Sequence, residues 1–295
     1  MPELAEVEYV ARQLRENAIG ATISTVNIVW PRAISHPTPE IFAAELVGRT
    51  ITGIDRRGKL LLVALGRPHP VASREPCPPS ADGVGEIEEE GWVTVHRRMA
   101  GNLRLLMAEE PDERYLVVDI RLADGRRLQY SDPRKFGRLA FWHADELPQA
   151  LAEYGAEPLA ADFTAARLAA ILRGRSRALK PLLLDQARIA GLGNIYADEA
   201  LHRAGLHPLR QADTLTPAEI ARLRDAIVTV LELGIAHGGT TFGRHQGLFG
   251  EAGRNVDYLL VYRREGQPCA TCGTPIQRIV VAQRGTRFCP RCQPE

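Results

Sequence analysis

Four cysteines near the C-terminus constrain this chain more than any other feature. Cys269-x2-Cys272 and Cys289-x2-Cys292 are separated by sixteen residues of largely strand-forming sequence. Two such knuckles with a hairpin between them have the spacing of a four-thiolate zinc site. Four thiolates leave no position for water, so one structural Zn2+ is expected rather than a catalytic metal. Two disulfides are the alternative pairing. They suit an oxidising compartment, and the chain opens without the charged-then-apolar leader of an exported protein. The hairpin would expose Gln283-Arg284-Gly285-Thr286-Arg287, a run suited to phosphate. The fifth cysteine, Cys77, has no nearby partner and reads as a free surface thiol.

Upstream, the hydrophobic period changes once. Residues 3–17 read as an amphipathic helix, with Leu4, Val7, Ala11 and Leu14 on one face. Strand patterns follow at 21–30, 49–65, 91–98, 102–107, 114–121, 126–130 and 139–142, with a short helix at 39–47. Asp124-Gly125 marks a hairpin turn. From 163 the period is helical, over 164–173, 178–187, 194–204 and 216–236, after a connecting segment at 143–160. Residues 238–257 hold six glycines and read as a mobile loop before a strand at 258–263. Residues 66–90, with five prolines and the acidic run 86–90, read as a surface insertion. The expected class is therefore α+β and multidomain: a β-sandwich with a leading helix (1–145), a helical domain (160–263) and a zinc hairpin (264–295).

Composition narrows the setting. A hydrophobic fraction of 45% and a charged fraction of 25% are those of a soluble globular protein, and no apolar run reaches membrane-spanning length. A cytoplasmic location follows as the expectation. A formal net charge of +1 means that any nucleic-acid surface must be local. Only three of the 37 basic residues are lysine: Lys59, Lys135 and Lys180. Arginine stays protonated whereas lysine can give up a proton, so these positions are candidates for chemistry that arginine cannot perform.

The opening residues admit two readings. Pro2 fits the first position of a helix, and Glu3 and Glu6 suit its first turn. With Met1 removed, Pro2 is also a free secondary amine, partly neutral at neutral pH and able to attack a sugar C1′. Glu3 and Glu6, three residues apart, would stand beside the resulting iminium as proton carriers. Similarly, Gly191-Leu192-Gly193-Asn194 is either an interhelix turn or a helix N-terminus presenting N–H groups to phosphate.

Together these stretches resemble one family, the bacterial formamidopyrimidine-DNA glycosylases, within the larger group that includes endonuclease VIII. The resemblance rests on PELAEVE at 2–8, RRGKLLL at 56–62, HRRMAG at 96–101, YSDPRKFGRL at 130–139, LKPLLLDQ at 179–186, GLGNIYADEAL at 191–201 and the hairpin ending FCPRCQ. It covers nearly the whole chain except 66–90.

The resemblance implies a β-sandwich, a helix–two-turn–helix domain and a zinc finger, with damaged double-stranded DNA bound in the cleft between them. It implies Pro2 as nucleophile, Glu3 as acid–base carboxylate with Glu6 beside it, and Lys59 near the reacting sugar. Met99, Arg134 and Phe136 would fill the hole left by the flipped lesion, and Lys180, Asn194 and Arg284 would hold flanking phosphates. Cys269, Cys272, Cys289 and Cys292 would bind the zinc. The implied activity is excision of oxidised purines followed by β,δ-elimination, by a monomer with no membrane partner, associated with the nucleoid through DNA. The loop at 238–257 would fold over the extruded base. An endonuclease VIII-like activity on oxidised pyrimidines and a non-catalytic zinc-finger DNA-binding module are the alternatives. Ala5 stands where the family usually has Pro, and Ala100, Asn255 and Val256 also depart from its pattern, which leaves lesion choice open.

Overall fold

The computed structural model describes residues 2–68, 87–243 and 246–295. It opens with α1 (Leu4–Asn17), whose N-terminus is closed by a reciprocal pair. Glu3 is the N-cap residue, and its backbone N–H donates to Glu6 Oε2 at 2.8 Å. This helix serves two cores. Leu4 and Ala5 pack with the helical half, whereas Val7, Val10, Ala11 and Leu14 pack with the strands. The residues before Leu4 are thereby held at the junction.

The strands come next: β1 (Ile23–Ile28), β2 (Ile34–His36), then α2 (Pro39–Leu46), β3 (Thr50–Arg57), β4 (Leu60–Pro68), β5 (Ile87–His96), β6 (Asn102–Leu106), β7 (Leu116–Leu122), β8 (Arg127–Ser131) and β9 (Arg138–His143). They form two sheets, one ordered β1-β7-β8-β6 and the other β2-β9-β5-β4-β3. Their facing sides supply Ile51, Leu61, Val63, Val93, Val95, Leu103, Ile120, Leu128 and Phe141 to one apolar core. This is the expected sandwich. Alternation of apolar and polar residues places one face of each strand inside.

The expected insertion at 66–90 is corrected at both ends. Gly66, Arg67 and Pro68 pair with Glu89, Glu88 and Ile87, so β4 and β5 continue as a ladder beyond the bulge at Leu65. The remainder of that stretch, including Cys77, lies outside the described residues.

The second half holds α3 (Leu147–Leu151), α4 (Ala165–Leu172), α5 (Leu179–Leu183), α6 (Asn194–Ala204) and α7 (Pro217–Ala236). Thr216 and Glu219 form a capping box at the start of α7. Helix α5 ends earlier than the expected 178–187. The Gln186 side chain holds the chain in a turn there, donating to Leu184 O and Leu192 O and accepting from Gly191 N–H.

The strand expected at 258–263 is absent. A short 3-10 turn (Asn255–Tyr258) is followed by residues whose N–H groups go to a carboxylate rather than a ladder. Glu199 accepts from Leu260, Val261 and Tyr262 at 2.7, 3.0 and 2.8 Å.

The glycine-rich stretch after α7 is more tied down than its composition suggests. Thr240 bridges Arg254, and Gln246 bridges Ala252. Leu248 is fully buried in the sandwich core, where its carbonyl accepts from Leu105 N–H at 3.1 Å. The chain closes with β10 (Gln277–Val281) and β11 (Arg284–Phe288), joined by Ala282 and Gln283. Both linking residues have positive φ, the conformation of a two-residue hairpin turn whose twist matches the strands.

Candidate active site

Three sequence stretches that are far apart in the chain meet at the N-terminus. Pro2 and Glu3 are buried where α1 abuts α6. Leu4 N–H donates to Gly191 O at 3.1 Å, fixing the start of α1 on the turn before α6. The Glu3 carboxylate then accepts from the N–H groups of Ile195 and Tyr196 at 3.0 and 3.4 Å. These are unpaired donors of the first turn of α6, where an anion is favoured. Gly193 permits the approach, because a Cβ there would stand 2.5 Å from Glu3 Oε1.

Burial is the largest influence on the Glu3 carboxyl and pushes it up to about 7. The Lys59 ammonium opposes this, Glu6 adds to it, and the two α6 N–H groups oppose it. Glu3 is therefore poised to give or take a proton near neutral pH. Lys59, in the turn between β3 and β4, is itself nearly buried. Burial lowers its ammonium below the ordinary lysine range, Glu3 and Glu6 oppose that, and Arg284 reinforces it.

Glu6 is more heavily engaged. Besides the Glu3 N–H it accepts from the Tyr196 hydroxyl and from Thr240 N–H, both at 2.7 Å.

Lys59 opens onto a cleft of about 250 Å³ lined by His96, Arg98, Leu184, Gln186, Gly193, Asn194 and Arg284. Three of the expected site residues, Lys59, Asn194 and Arg284, are thus brought to one basic concavity. His96 and Arg98 belong to it as well, although only their motif was visible in the sequence. His96 Nδ1 accepts Arg98 N–H at 3.1 Å, which leaves the proton on Nε2. Burial, reinforced by Arg98 and Lys59, holds the ring down to about 4, so it is neutral at physiological pH.

Lys180 departs from expectation. Its ammonium is wholly buried, paired with Asp198 at 2.6 Å and donating to Thr286 Oγ1 at 2.8 Å and Gly285 O at 3.3 Å. A group so enclosed has no face for a phosphate. It acts instead on the zinc hairpin. Asn194 Nδ2 donates to the same Gly285 carbonyl at 3.1 Å, so α5 and α6 together orient the segment that carries exposed Arg284.

The wedge residues lie on two turns. Met99 and Phe136 are 39% and 50% exposed, unusual for large apolar side chains, and the Arg134 guanidinium lies 4.8 Å from the Phe136 ring. The Asp132 carboxylate builds the second turn by accepting from Arg134, Phe136 and Gly137 N–H groups at 2.9, 2.9 and 2.8 Å. Both turns pack on the Tyr130 hydroxyl, and a side chain at Gly101 or Gly137 would collide with it. Arg97, also unassigned by sequence, is buried behind the first turn and donates to Gly101 O at 2.9 Å, Asn102 Oδ1 at 3.2 Å and Gln246 O at 3.3 Å.

The four cysteine sulfurs lie within 4.8 Å of one another, a set that fits one tetrahedral zinc. His202 of α6 supports the fit. Its Nε2 is 3.5 Å from Cys269 Sγ, while its buried Nδ1 has no partner. The proton therefore sits on Nε2, facing a sulfur that metal binding makes a thiolate. Gln293 fastens the knot to the turn just past α6 by accepting Cys289 N–H at 2.9 Å and donating to Leu206 O at 2.8 Å.

Comparison with known proteins agrees along the whole chain. Family models match for the formamidopyrimidine-DNA glycosylase N-terminal domain over residues 1–139 and its H2TH domain over 154–245. A zinc finger found in these enzymes and in isoleucyl-tRNA synthetase matches over 266–294. The formamidopyrimidine-DNA glycosylase of Roseiflexus sp. (strain RS-1) is 44% identical over 99% of this chain and 100% of that protein. A Lactococcus lactis Fpg in complex with abasic-site DNA superposes with a TM-score of 0.86 at 35% identity, covering 99% of this chain and 100% of that one. A point mutant of the same L. lactis protein, with Fapy-dG-containing DNA, also gives 0.86 at 35% identity, covering all of both chains. The chain belongs to the formamidopyrimidine-DNA glycosylase family.

Proposed function

We propose that this enzyme removes oxidised purines, 8-oxoguanine and formamidopyrimidines, from duplex DNA and then cuts the strand at the resulting sugar. Family membership makes it a DNA glycosylase of base excision repair. The finer steps rest on the site. The observation that carries them is Glu3: a buried carboxyl near pKa 7, beside Pro2 and Lys59, at the edge of a basic cleft.

After removal of Met1, the Pro2 amine attacks C1′ of the damaged nucleoside. The glycosidic bond breaks and the base leaves with the proton that the amine gives up; Glu3 then protonates O4′, the C1′–O4′ bond opens the sugar ring, and a cationic iminium joins protein to sugar. Glu3 exchanges protons with the sugar, and Glu6 fixes the Glu3 backbone. Loss of a C2′ proton expels the 3′ phosphate, and a second elimination expels the 5′ phosphate. Asn194, Arg284 and the cleft residues Lys59, His96 and Arg98 serve the backbone, positioning it without reading sequence. Met99, Arg134 and Phe136 fill the vacated stack, which offsets the cost of extruding a base. Lys180 supports the phosphate contacts indirectly by holding Gly285. One zinc closes the finger.

The working units are the sandwich at 1–145, the helix–two-turn–helix domain at 160–263 with the 238–257 segment over the base, and the finger at 264–295. Among the described residues no helix is long and apolar enough to cross a membrane. We take the active form to be a cytoplasmic monomer on DNA.

Borohydride reduction during reaction with an abasic-site duplex tests the reading. A stable adduct on a peptide beginning at Pro2 is expected. An active preparation that retains Met1, or an adduct on a lysine, would overturn it.

A further inference from the structure

A hydrogen-bond chain with one direction runs from Asn255 to Glu6. Asn255 Nδ2 donates to Thr240 Oγ1 at 2.8 Å. Thr240 Oγ1 lies 3.2 Å from the Tyr196 hydroxyl, which donates its one proton to Glu6 Oε1 at 2.7 Å. Because that tyrosine proton is committed, the Thr240 hydroxyl must be the donor to Tyr196. Thr240 also donates its backbone N–H to the same Glu6 oxygen. Every member is buried, so no water competes for these partners. The far end is held too. Asn255 N–H donates to Gly239 O at 3.1 Å, and Asn255 Oδ1 lies 3.3 Å from His237 Nδ1 in a ring stacked on Tyr258.

Thr240 and Asn255 stand at the two ends of the glycine-rich segment, whereas Glu6 and Glu3 stand at the reacting end of α1. We propose that Asn255 is a positioning residue through which the seating of that segment fixes the position and orientation of Glu6, and so the proton exchange at Glu3. This rests on the catalytic reading given above. It differs from a segment that only folds over the base, because an abasic substrate would feel it as well.

The physical basis is cooperative. Donors chained toward one carboxylate hold it in place cooperatively, and removing the first donor weakens each later one. Burial and the Glu6 charge together hold the Tyr196 hydroxyl neutral, so it remains a donor throughout the working pH range. The other charged or titratable groups facing the Glu3–Glu6 pair are Lys59 from the β3–β4 turn, Arg97, whose Nη1 is 3.5 Å from Glu6 O, and the buried Lys180 of α5, which interacts with Glu3. Arg284 of β11 acts on the pair through Lys59, and His237 sits at the distal end of the chain. With Asn255 replaced, the Glu6 carboxylate is held less closely at its place beside Glu3, its repulsion of a Glu3 carboxylate falls, and Glu3 titrates at lower pH.

The test uses full-length N255L, T240V and T240S proteins with zinc bound. Cleavage of an abasic duplex is followed across pH in single turnover, alongside affinity for a duplex carrying a tetrahydrofuran site. N255L and T240V should each lose about tenfold in rate, with the alkaline limb moved to lower pH and affinity within about twofold. T240S, which keeps both donors, should match wild type. The double variant N255L/T240V should be no slower than either single one. Unchanged abasic cleavage with an unchanged pH profile in both N255L and T240V would overturn the proposal. If N255L does not fold, T240V decides by the same readouts. Failure of wild type to form the Pro2 adduct would instead overturn the catalytic reading on which the proposal rests.

Discussion

The Glu3 carboxylate accepts the backbone N–H of Ile195 at 3.0 Å, across 192 positions of sequence. That bond joins the first turn of α1 to the first turn of α6. It places an acid–base group in a helix N-terminus that belongs to a different layer of the fold. Helix α6 therefore has work at both ends, with Glu3 and the Asn194 contact at its start and the zinc knot against His202 near its finish.

The first prediction concerns what this placement costs. Burial raises Glu3 from 4.5 to about 7, so between those values the folded chain holds a proton that the unfolded chain has released. Stability from this group is intact below about pH 4.5 and is lost as pH rises toward 7, on the order of 3 kcal/mol in all. Glu3→Gln removes the titration while keeping an oxygen for the Ile195 and Tyr196 N–H groups. Urea melts should show the variant more stable than wild type at pH 8 and not at pH 4.5, with excision abolished. An equal difference at both values would mean that burial does not raise the Glu3 carboxyl in this way.

A second prediction follows from Gly193. A methyl group there would overlap the Glu3 carboxyl, standing 2.2 Å from its carbon and 2.5 and 2.6 Å from its oxygens. Gly193→Ala should fold with a loss of about 1–3 kcal/mol, as overpacked sites do. It should depress base excision far more than DNA binding. Retained wild-type excision would show that Glu3 can shift without consequence.

Much of this was legible in the sequence, for identifiable reasons. Strand and helix periods gave the two layers, because burial of one face leaves its mark at every second or fourth residue. The cysteine knuckles announced themselves by spacing. What escaped depended on side chains meeting across the fold. No local pattern marks Glu199 as the group that takes the N–H donors of 260–262, so the apolar run there read as a strand. The resemblance assigned Lys180 to a flanking phosphate, because nothing near it in sequence reveals that Asp198 and Thr286 enclose it. The six glycines after α7 suggested freedom, yet Leu248 anchors that segment in the sandwich core. His96 and Arg98 lay inside a recognised motif, and a histidine and an arginine at the end of an apolar strand were the signal that marked them.

The third prediction addresses the finger. Thiolate zinc sites couple metal binding to local folding, and here the knot is fastened to the turn after α6 through Gln293 and to α5 through Lys180. Cys289→Ser should lose the metal by elemental analysis and weaken binding to an abasic duplex by about tenfold or more, mainly through Arg284. The sandwich should remain folded by circular dichroism, since its core shares no residue with the finger. Full DNA affinity in a zinc-free preparation would detach the hairpin from binding altogether.

The fourth prediction asks why position 59 is one of only three lysines in a chain rich in arginine. Lys59 is nearly buried, close to Glu3, and its proton affinity is lowered by burial. Arginine there would keep the charge and the reach toward phosphate, but it would not give up a proton, and its planar head needs more room than the ammonium occupies. Lys59→Arg should therefore bind an abasic-site duplex within a fewfold of wild type, while single-turnover excision falls by about tenfold to a hundredfold. Lys59→Met separates the two contributions, since it gives up charge and proton together and should lose affinity as well as rate. If the arginine protein excised at the wild-type rate, the ammonium would be serving only as a fixed positive charge, and the proton traffic at the sugar would fall to Glu3 and Pro2 alone.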